Sequence, residues 1–279
     1  MLRVARKVGK FAAYYLQNPR QALFPQRDLI LRTSFGARLL CSHENYIERM
    51  VMQHGSFEPE STAATLQETR PGQVTVDVGS NVGYYTLLLA QSVGATGQVH
   101  AFEPTRWAYE RSVRNVSLNS QHSAQIRLNH AGLLAEERSG VEAIESRFSA
   151  RILAKQHLEQ LQFLTLDRYC AERKIERIDF MKVDVDGYDF QVMRGARSIL
   201  SQSHAVLLCE LHDSALREHG DSLEQYVSLL RELGYERGEV LDGPIKGTVE
   251  LSSLLQRQQP SSLNLLLKRA SRPSTWGSP

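Results

Sequence analysis

Three aspartates fall within one short segment, MKVDVDGYDF at residues 181–190. Asp184 and Asp186 follow an apolar run that predicts a strand, and Asp189 comes shortly after a glycine. Three kinds of site use such a pattern. They are the metal-binding Asp-x-Asp of a glycosyltransferase, the nucleophile loop of an aspartyl phosphatase, and the end of a central strand that lines another kind of pocket.

The residues around the aspartates narrow these alternatives. An aspartyl phosphatase loop has a small hydroxylated residue after its glycine, whereas Tyr188 stands there in this chain. A calcium-binding EF-hand with Gly187 at its sixth position would place Lys182 and Met193 at ligand positions, and neither suits the ion. A glycosyltransferase stays open from this segment alone, although it needs a nucleotide-binding front half.

The segment VDVGSNVGYY, which begins at Val76, predicts a glycine-rich turn between a strand and a helix. Gly79 and Gly83 allow the backbone to approach a ligand closely, and the helix N-terminus offers free N–H groups. The spacing matches neither the dinucleotide-binding GxGxxG nor a phosphate-binding P-loop. Because Asp77 would repel a pyrophosphate, this turn favours a ligand that carries a positive charge.

Glu103 ends the second predicted strand, QVHAFEP, about twenty residues beyond the glycine turn. In open α/β sheets an acid in this place accepts hydrogen bonds from ribose hydroxyls. The alternative is an ordinary turn with a helix-start acid and a solvated glutamate. The combination of Asp77, the glycine turn and Glu103 favours a cofactor site, and Trp107 follows closely enough to flank the cofactor.

From residue 70 onward the chain alternates predicted strands and helices, which indicates a parallel sheet covered by helices on both faces. The closing runs YERGEVL and SSLNLLLKR are joined only by a loop, DGPIKGTVELSSLLQRQQP, so we expect them to pair antiparallel. Residues 133–163 are expected to form a largely polar and helical insertion that acts as a lid. Residues 25–70 predict a hairpin of short strands and then a helix, and residues 1–20 predict a basic amphipathic helix.

Several segments between about residues 70 and 215 follow one another in a characteristic order: VDVGSNVGYYTLLLA, GQVHAFEPT, YERSVRNVSLN, FMKVDVDGYDFQVMRGARSIL and LLCELHD. Together they resemble the FkbM family of S-adenosylmethionine-dependent methyltransferases. The resemblance implies an α/β class I methyltransferase fold, which is Rossmann-like. Its mostly parallel seven-stranded sheet has an antiparallel C-terminal strand pair, and helices cover both faces. Asp186 and Asp189 stand where the family usually has glutamates, which keeps the charge and shortens the reach.

The resemblance also implies a set of contacts to S-adenosylmethionine as the cofactor. Glu103 would hold the ribose hydroxyls, and residues near His130 would approach the adenine. The amino-acid end and the sulfonium region would lie against residues of the glycine turn: Asp77, Gly79, Ser80, Asn81 and Gly83.

Methyl transfer to a hydroxyl needs an aligned acceptor and a group that takes the hydroxyl proton. Asp184 is expected to end the strand beside the glycine-turn strand and to point into the crevice. Asp186 either faces the same way or only caps the next helix. Glu210, in or at the end of the strand LLCEL, is a further candidate, as is His212 unless it is an ordinary loop histidine. Asp189 is expected to be a first-turn helix acid without a chemical role.

The composition is that of a globular protein, since 42% of the 279 residues are hydrophobic and 23% are charged. The formal net charge of +2 gives no argument for binding nucleic acid. Three cysteines without CxxC or Cys/His spacing indicate a reducing compartment and argue against a structural zinc site. No apolar run in the sequence is long enough to span a bilayer. We therefore expect a cytoplasmic protein and no metal ion.

Three regions are expected: an extension at residues 1–69 that forms the acceptor side or an oligomer contact, a methyltransferase domain at residues 70–269, and a disordered tail at residues 270–279. The basic N-terminal helix would pack on the main domain or on a second subunit, lie on the inner membrane surface, or serve as an organelle presequence. The expected function is an O-methyltransferase that acts on a hydroxyl of a sugar, a glycan or a natural product. The alternatives are a metal-dependent glycosyltransferase that uses Asp184-x-Asp186 and a non-catalytic binding module with the same fold.

Overall fold

The computed structural model describes residues 28–143, 158–242, 246–256 and 262–269. The predicted helix at residues 1–20, the predicted tail at residues 270–279 and residues 144–157 of the insertion lie outside these ranges. The described strands are, in chain order, β1 (Leu29–Arg32), β2 (Arg38–Cys41), β3 (Val74–Val78), β4 (Gln98–Phe102), β5 (Ile126–Asn129), β6 (Gly132–Leu133), β7 (Arg138–Ala143), β8 (Leu158–Leu164), β9 (Phe180–Val183), β10 (Val206–Leu211), β11 (Arg237–Val240), β12 (Gly247–Glu250) and β13 (Leu263–Leu267).

The described helices are α1 (Tyr46–His54), α2 (Pro59–Glu68), α3 (Tyr84–Val93), α4 (Arg106–Leu118), α5 (Leu166–Arg173), α6 (Asp189–Gly195), α7 (Arg197–Gln202), α8 (Asp213–Glu218) and α9 (Leu223–Glu232). Two 3₁₀ segments are present at Ser120–Gln125 and Leu251–Gln256. Within the described ranges, none of these helices combines the length and the apolar character needed to cross a membrane.

Eight strands form the central sheet in the order β12–β11–β13–β10–β9–β3–β4–β5. Strands β10, β9, β3, β4 and β5 run parallel, and β13 lies antiparallel between β10 and β11. The predicted antiparallel pairing of the two closing strands is therefore confirmed. The predicted count of seven strands is wrong, because β12 adds an eighth strand beside β11. This strand begins at a glycine, and Val249 is its only buried residue. Its alternation of apolar and polar residues is therefore too short to predict a strand.

The expectation of a polar and helical insertion is wrong for its described part. Strands β7 and β8 pair antiparallel, and β6 pairs parallel with β8, to form a separate three-stranded sheet. In β8 the sequence LEQLQFL places Leu161 and Phe163 on one buried side with polar residues between them. This alternation with a period of two is that of a half-buried strand.

The hairpin and helix predicted before the sheet are confirmed as β1, β2, α1 and α2. The hairpin is fixed to the main domain through α4. The amide oxygen of Asn119 accepts a hydrogen bond from the Arg38 backbone N–H at 2.8 Å, and Asn115 does the same for Leu40 at 2.8 Å. Asn115 of α4 and Asn119, which directly follows α4, thus hydrogen-bond the edge of β2.

Side chains along the central strands alternate between the two faces of the sheet, so the core is divided into two clusters. Val76 and Val78 of β3 and Met181 and Val183 of β9 belong to the cluster under α5–α9, whereas Phe180 belongs to the cluster under α1–α3. Because neighbouring residues of a strand point to opposite faces, the two polar residues that lie between these core residues point toward α3. These residues are Asp77 and Lys182, which are partners in the β3–β9 register.

Candidate active site

A cavity of about 380 Å³ opens at the carboxyl ends of β3, β4 and β9. At this point successive strands are added to opposite sides of β3, which is where open α/β sheets bind ligands. The volume lies within the range of about 300–1,000 Å³ that is usual for small-molecule sites. The lining residues used below are Asn45, Phe57, Gly79, Ser80, Asn81, Tyr85, Glu103, Trp107, Leu134, Leu161, Phe163, Lys182, Asp184, Asp186, Tyr188, Glu218 and His219.

The glycine turn forms one wall of the cavity through Gly79, Ser80 and Asn81. The backbone N–H groups of Gly79 and Ser80 both donate to the carbonyl oxygen of Phe102 at 3.0 Å, which ties the turn to the end of β4. Gly83 is not one of the lining residues. Its φ of 85° ends the turn at the start of α3, and a side chain there would meet the Ser112 hydroxyl.

Asp77 lies below the turn, is fully buried and is not one of the lining residues. Its Oδ2 accepts a hydrogen bond from the Thr86 hydroxyl at 2.6 Å, and its Oδ1 has no partner among the residues that the structure describes. Burial raises the pKa of Asp77, and the nearby Lys182 ammonium opposes this effect. A buried acceptor without a partner at the end of β3 suits a cationic ligand group.

Glu103 directly follows β4 and is 6% exposed. One carboxylate oxygen accepts hydrogen bonds from the Thr105 backbone N–H and hydroxyl, at 2.9 Å and 2.6 Å, and the other accepts from the Asn81 N–H at 3.0 Å. Burial raises the pKa of Glu103, and these donors lower it. Because a carboxylate offers about four acceptor positions, Glu103 keeps capacity for a ligand hydroxyl.

Trp107 lines the cavity beside Glu103, where the sequence places it as a flanking residue. His130, the predicted residue near the adenine, is exposed and lies outside the cavity lining. Its ring stacks on Tyr109 of α4, with 4.6 Å between the ring centroids. Gly132 and Leu133, two and three residues after His130, do line the cavity together with the glycine turn, so the approach of this segment to the adenine stays a prediction.

Two of the four predicted proton acceptors line the cavity, namely Asp184 and Asp186. Asp184 directly follows β9, as expected, and its carboxylate accepts a hydrogen bond from the Lys182 ammonium at 3.0 Å. Asp186 adopts a left-handed φ of 53°, which is uncommon for a residue other than glycine, so the chain is not extended there.

Glu210 and His212 are not among the lining residues. Glu210 lies within β10 and accepts a hydrogen bond from the Ser262 hydroxyl at 2.5 Å. His212 precedes α8, and its Nε2 lies 3.1 Å from the Ser214 hydroxyl. Both side chains interact with elements beside the cavity.

Asp189 is the first residue of α6, as predicted, and it is buried. Its Oδ2 accepts a hydrogen bond from the Gly187 N–H at 3.1 Å, and Oδ1 has no partner in the described part of the chain. Burial, followed by the neighbouring charges of Glu210 and Asp184, raises the pKa of Asp189 well above its ordinary value. This acid supports the turn behind the cavity.

Lys182 is a site residue that the sequence reasoning missed. It is 4% exposed, and its ammonium lies 4.9 Å from the centre of the Tyr85 ring. Burial alone would lower the pKa of Lys182, but the carboxylates of Asp184, Asp77 and Glu58 together raise it. The signal in the sequence is a single lysine within the apolar run DFMKVDV, because a buried lysine requires anionic partners.

The other end of the cavity is aromatic and apolar. The rings of Tyr188 and His219 stack with 3.8 Å between their centroids, and Tyr188 packs against the small cluster of Leu134, Leu161 and Phe163. His219 directly follows α8, Tyr188 directly precedes α6, and Leu161 and Phe163 belong to β8, so sequence patterns do not bring these residues together. These residues give the cavity an aromatic and apolar surface in addition to the glycine turn.

The family model described as the methyltransferase FkbM domain matches residues 77–237, which is more than half of the chain. The chain belongs to the FkbM methyltransferase family. The match contains the glycine turn, Glu103 and the aspartate segment in one continuous stretch. The expected class I α/β fold is also present, with one strand more than expected.

The chain is similar to proteins known from sequence and from structure. The methyltransferase sdnD of Sordaria araneosa is 25% identical over 153 residues, which cover 43% of this chain and 59% of that protein. The FkbM methyltransferase of Methylobacillus flagellatus KT is 14% identical, with 73% of this chain and 50% of that chain covered and a TM-score of 0.43. An S-adenosylmethionine-dependent O-methyltransferase from Thermotoga maritima is also 14% identical. The similarity covers 88% of this chain and 79% of that chain, with a TM-score of 0.45.

The cofactor of this FkbM protein is S-adenosylmethionine, and the site residues fit its chemistry. The unpartnered oxygen of Asp77 is suited to the cofactor's cationic amino-acid end. Glu103 is a buried acceptor for ribose hydroxyls, and Trp107 offers an apolar wall. Ser80 and Asn81 add polar groups at the cavity surface between them.

Proposed function

We propose that this FkbM protein is an O-methyltransferase whose acceptor is a hydroxyl of a sugar, a glycan or a natural product. The observation that carries the proposal is the place of Asp184. Its carboxylate lies at the cavity wall directly beside the glycine turn, and the buried ammonium of Lys182 holds it in place. A base is thus available where the methyl donor and the acceptor would meet.

When bound, the cofactor supplies a methyl group on a positively charged sulfur. A neutral hydroxyl is a poor nucleophile, so the acceptor has to lose its proton as its oxygen attacks. In our proposal the Asp184 carboxylate accepts this proton, and the Lys182 ammonium orients the carboxylate. Asp186, two residues further along the same wall, would hydrogen-bond a second acceptor hydroxyl.

The shape of the cavity supports an acceptor with a hydroxyl-bearing ring. Aromatic side chains provide flat surfaces on which such a ring can stack, and Tyr188 with its partner His219 supplies one. Carboxylates such as Asp186 and Glu218 are suited to accept hydrogen bonds from hydroxyls. Asn45 and Phe57 line the same cavity, so residues of the predicted extension contribute to its wall.

Two other functions remain to be tested against this one. A metal-dependent glycosyltransferase would use Asp184 and Asp186 as ligands, but the family match includes both residues within a methyltransferase domain. A non-catalytic module would bind the cofactor or a partner without turnover. We also propose that the protein works in the cytoplasm, since its three cysteines are free and buried.

The experiment is a transfer assay with S-adenosylmethionine labelled in its methyl group, run against monosaccharides, oligosaccharides and glycan extracts, with and without a chelator. We expect label in a base-stable ether product, and we expect Asp184→Asn to lower the turnover while cofactor affinity is retained. Asp179→Asn, which changes an acid at the opposite end of β9, is the matched control. Label in an amine, or nucleotide-sugar binding that requires manganese, would contradict the proposal.

A further inference from the structure

The ammonium of Lys182 is shared by three carboxylates from three parts of the chain. Asp184 accepts its hydrogen bond at 3.0 Å, while Asp77 and Glu58 act on it through their charges. With all of these groups ionised, three negative charges would surround one positive charge in a largely buried space. Such an arrangement favours binding of one proton by the cluster, because like charges at short range disfavour full ionisation.

Glu58 is the member of this cluster with features that suit it to hold that proton. It accepts a hydrogen bond from the Tyr85 hydroxyl at 2.9 Å, and Asn264 of β13 also bonds it. Its burial and the charge of Asp184 raise the pKa of Glu58 to about 7. It is half-buried, so protons can exchange with solvent, whereas Asp77 is fully buried.

The backbone of Glu58 is also unusual. It precedes α2 with a left-handed φ of 43°, although its side chain makes no capping hydrogen bond to that helix. Non-glycine residues in this conformation cost on the order of 1–3 kcal/mol and tend to occur at functional sites. Glu58 lies outside the matched family region of residues 77–237, so the family resemblance does not account for it.

We propose that Glu58 is a positioning residue that acts on the Asp184 carboxylate through their shared partner Lys182. Tyr85 links the two, since its hydroxyl donates to Glu58 at 2.9 Å and its ring centre lies 4.9 Å from the Lys182 ammonium. When Glu58 is protonated, the ammonium is left to Asp184 and Asp77 and holds the Asp184 carboxylate back from the acceptor proton. When Glu58 is ionised, it competes for the ammonium, and the Asp184 carboxylate is freer to accept that proton. The inference rests on the proposed function, because it gives Asp184 the role of the base.

The charged and titratable groups that face Glu58 come from each element packed around it. Lys182 and Asp184 come from β9 and its end, Tyr85 comes from α3, and Asn264 supplies a neutral hydrogen bond from β13. Asp242, after β11, acts on the Tyr85 hydroxyl rather than on Glu58. Glu58 therefore titrates beside one acid, Asp184, and one base, Lys182, while Asp77 shares the same ammonium.

The test is the single-turnover rate of methyl transfer as a function of pH, with saturating cofactor and an acceptor found in the labelled screen. For the natural protein we expect the rate to rise by about threefold to tenfold as the pH passes through the neutral range. Glu58→Gln should remove this rise and keep the low-pH rate throughout. Glu60→Gln, which changes an exposed acid on α2, should leave the profile unchanged.

A second variant keeps the inference testable if Glu58→Gln does not fold. Tyr85→Phe retains the packed ring and removes the hydroxyl that lowers the pKa of Glu58, so the rise should move to higher pH. An unchanged rise in Glu58→Gln, or an unshifted rise in Tyr85→Phe, would overturn the inference. If no acceptor is methylated by the natural protein, the proposed function fails instead, and the two failures are thereby distinguished.

Discussion

Gly79 and Asp184 lie so close that a side chain at position 79 would overlap the backbone oxygen of Asp184. The glycine turn after β3 and the aspartate segment after β9 are therefore in direct backbone contact. The Asp184 N–H also donates to the Val78 carbonyl oxygen at 3.2 Å, which continues the pairing of the two strands past their ends. This contact places the proposed base at the edge of the cofactor turn.

Gly79→Ala tests this contact. Gly79 has a φ of 77° and no room for a methyl group. We therefore expect the variant to lose more free energy of unfolding than the roughly 1–3 kcal/mol that backbone strain alone would cost. Gly36→Ala is the matched control, because its φ of 91° is as strained but nothing lies within 4 Å of the added atom. Chemical unfolding would measure both, and equal losses would show that the contact has no importance.

Glu103→Gln should weaken cofactor binding by about 10- to 100-fold, as expected for a buried acceptor replaced by a group with two donor hydrogens. The amide nitrogen would face the Asn81 N–H or the Thr105 N–H, both of which donate to Glu103. Calorimetric titration with S-adenosylmethionine measures the affinity. Glu110→Gln removes an exposed acid seven residues later and should have no effect.

Tyr188→Ala should raise the acceptor KM by up to about tenfold and leave cofactor affinity unchanged, because it removes an aromatic surface at the acceptor end. The chain offers a control in its second stacked tyrosine–histidine pair. Tyr109→Ala removes the partner of His130, which lies outside the cavity lining, and should change neither constant. A loss of cofactor affinity in Tyr109→Ala would instead support a role for His130 near the adenine.

Lys182→Met should destabilise the fold by about 3–5 kcal/mol at pH 8, because it leaves buried carboxylates without their cation. The loss should be smaller at pH 6, where the carboxyl groups around position 182 take up protons more readily. Urea unfolding at both pH values measures the difference. Lys246→Met, which breaks an exposed pair with Glu60, should cost no more than about 1 kcal/mol at either pH.

Glu58→Gln should also change the pH dependence of the stability of the fold. The folded-state pKa of Glu58, about 7, lies above its ordinary value of 4.5, so the folded state binds the additional proton between these values. Its contribution to stability is therefore present below about pH 4.5 and lost as the pH rises through 7. We expect Glu58→Gln to gain melting temperature over the natural protein at pH 8 but not at pH 5. A difference that does not vary with pH would contradict the raised pKa.

The strand-end acids could be predicted from the sequence because the pattern of strand, turn and helix determines which residues follow each strand. Asp184 and Glu103 were placed correctly relative to their strands for this reason. Whether Glu210 and His212 face the cavity is harder to predict. The sequence shows where a strand ends, but it does not show which neighbouring element a side chain contacts. For Glu210 that neighbour is Ser262, which is 52 residues away in the chain.

The rest of the site depends on contacts between distant segments. In the eighth strand and the three-stranded sheet, the alternation of apolar and polar residues is short or interrupted. Loop sequences show such alternation as well. Lys182 could be recognised as unusual within an apolar strand, but its partner Glu58 comes from a segment with no motif of its own. The Tyr188–His219 pair arises only once α6 and α8 pack side by side, which no local pattern specifies.

The attachment of the segment before β3 has a consequence for how this protein could diversify. Asn115 of α4 and Asn119 just after it hold the β1–β2 hairpin, while α1 and α2 share a core with α3, and the segment brings Phe57 to the cavity wall. A chimera that carries residues 28–70 of another family member should therefore assemble only if Asn115, Asn119 and the apolar residues of α3 are kept. If the segment forms the acceptor wall and sets the pH response as proposed, a single recombination event would change both traits.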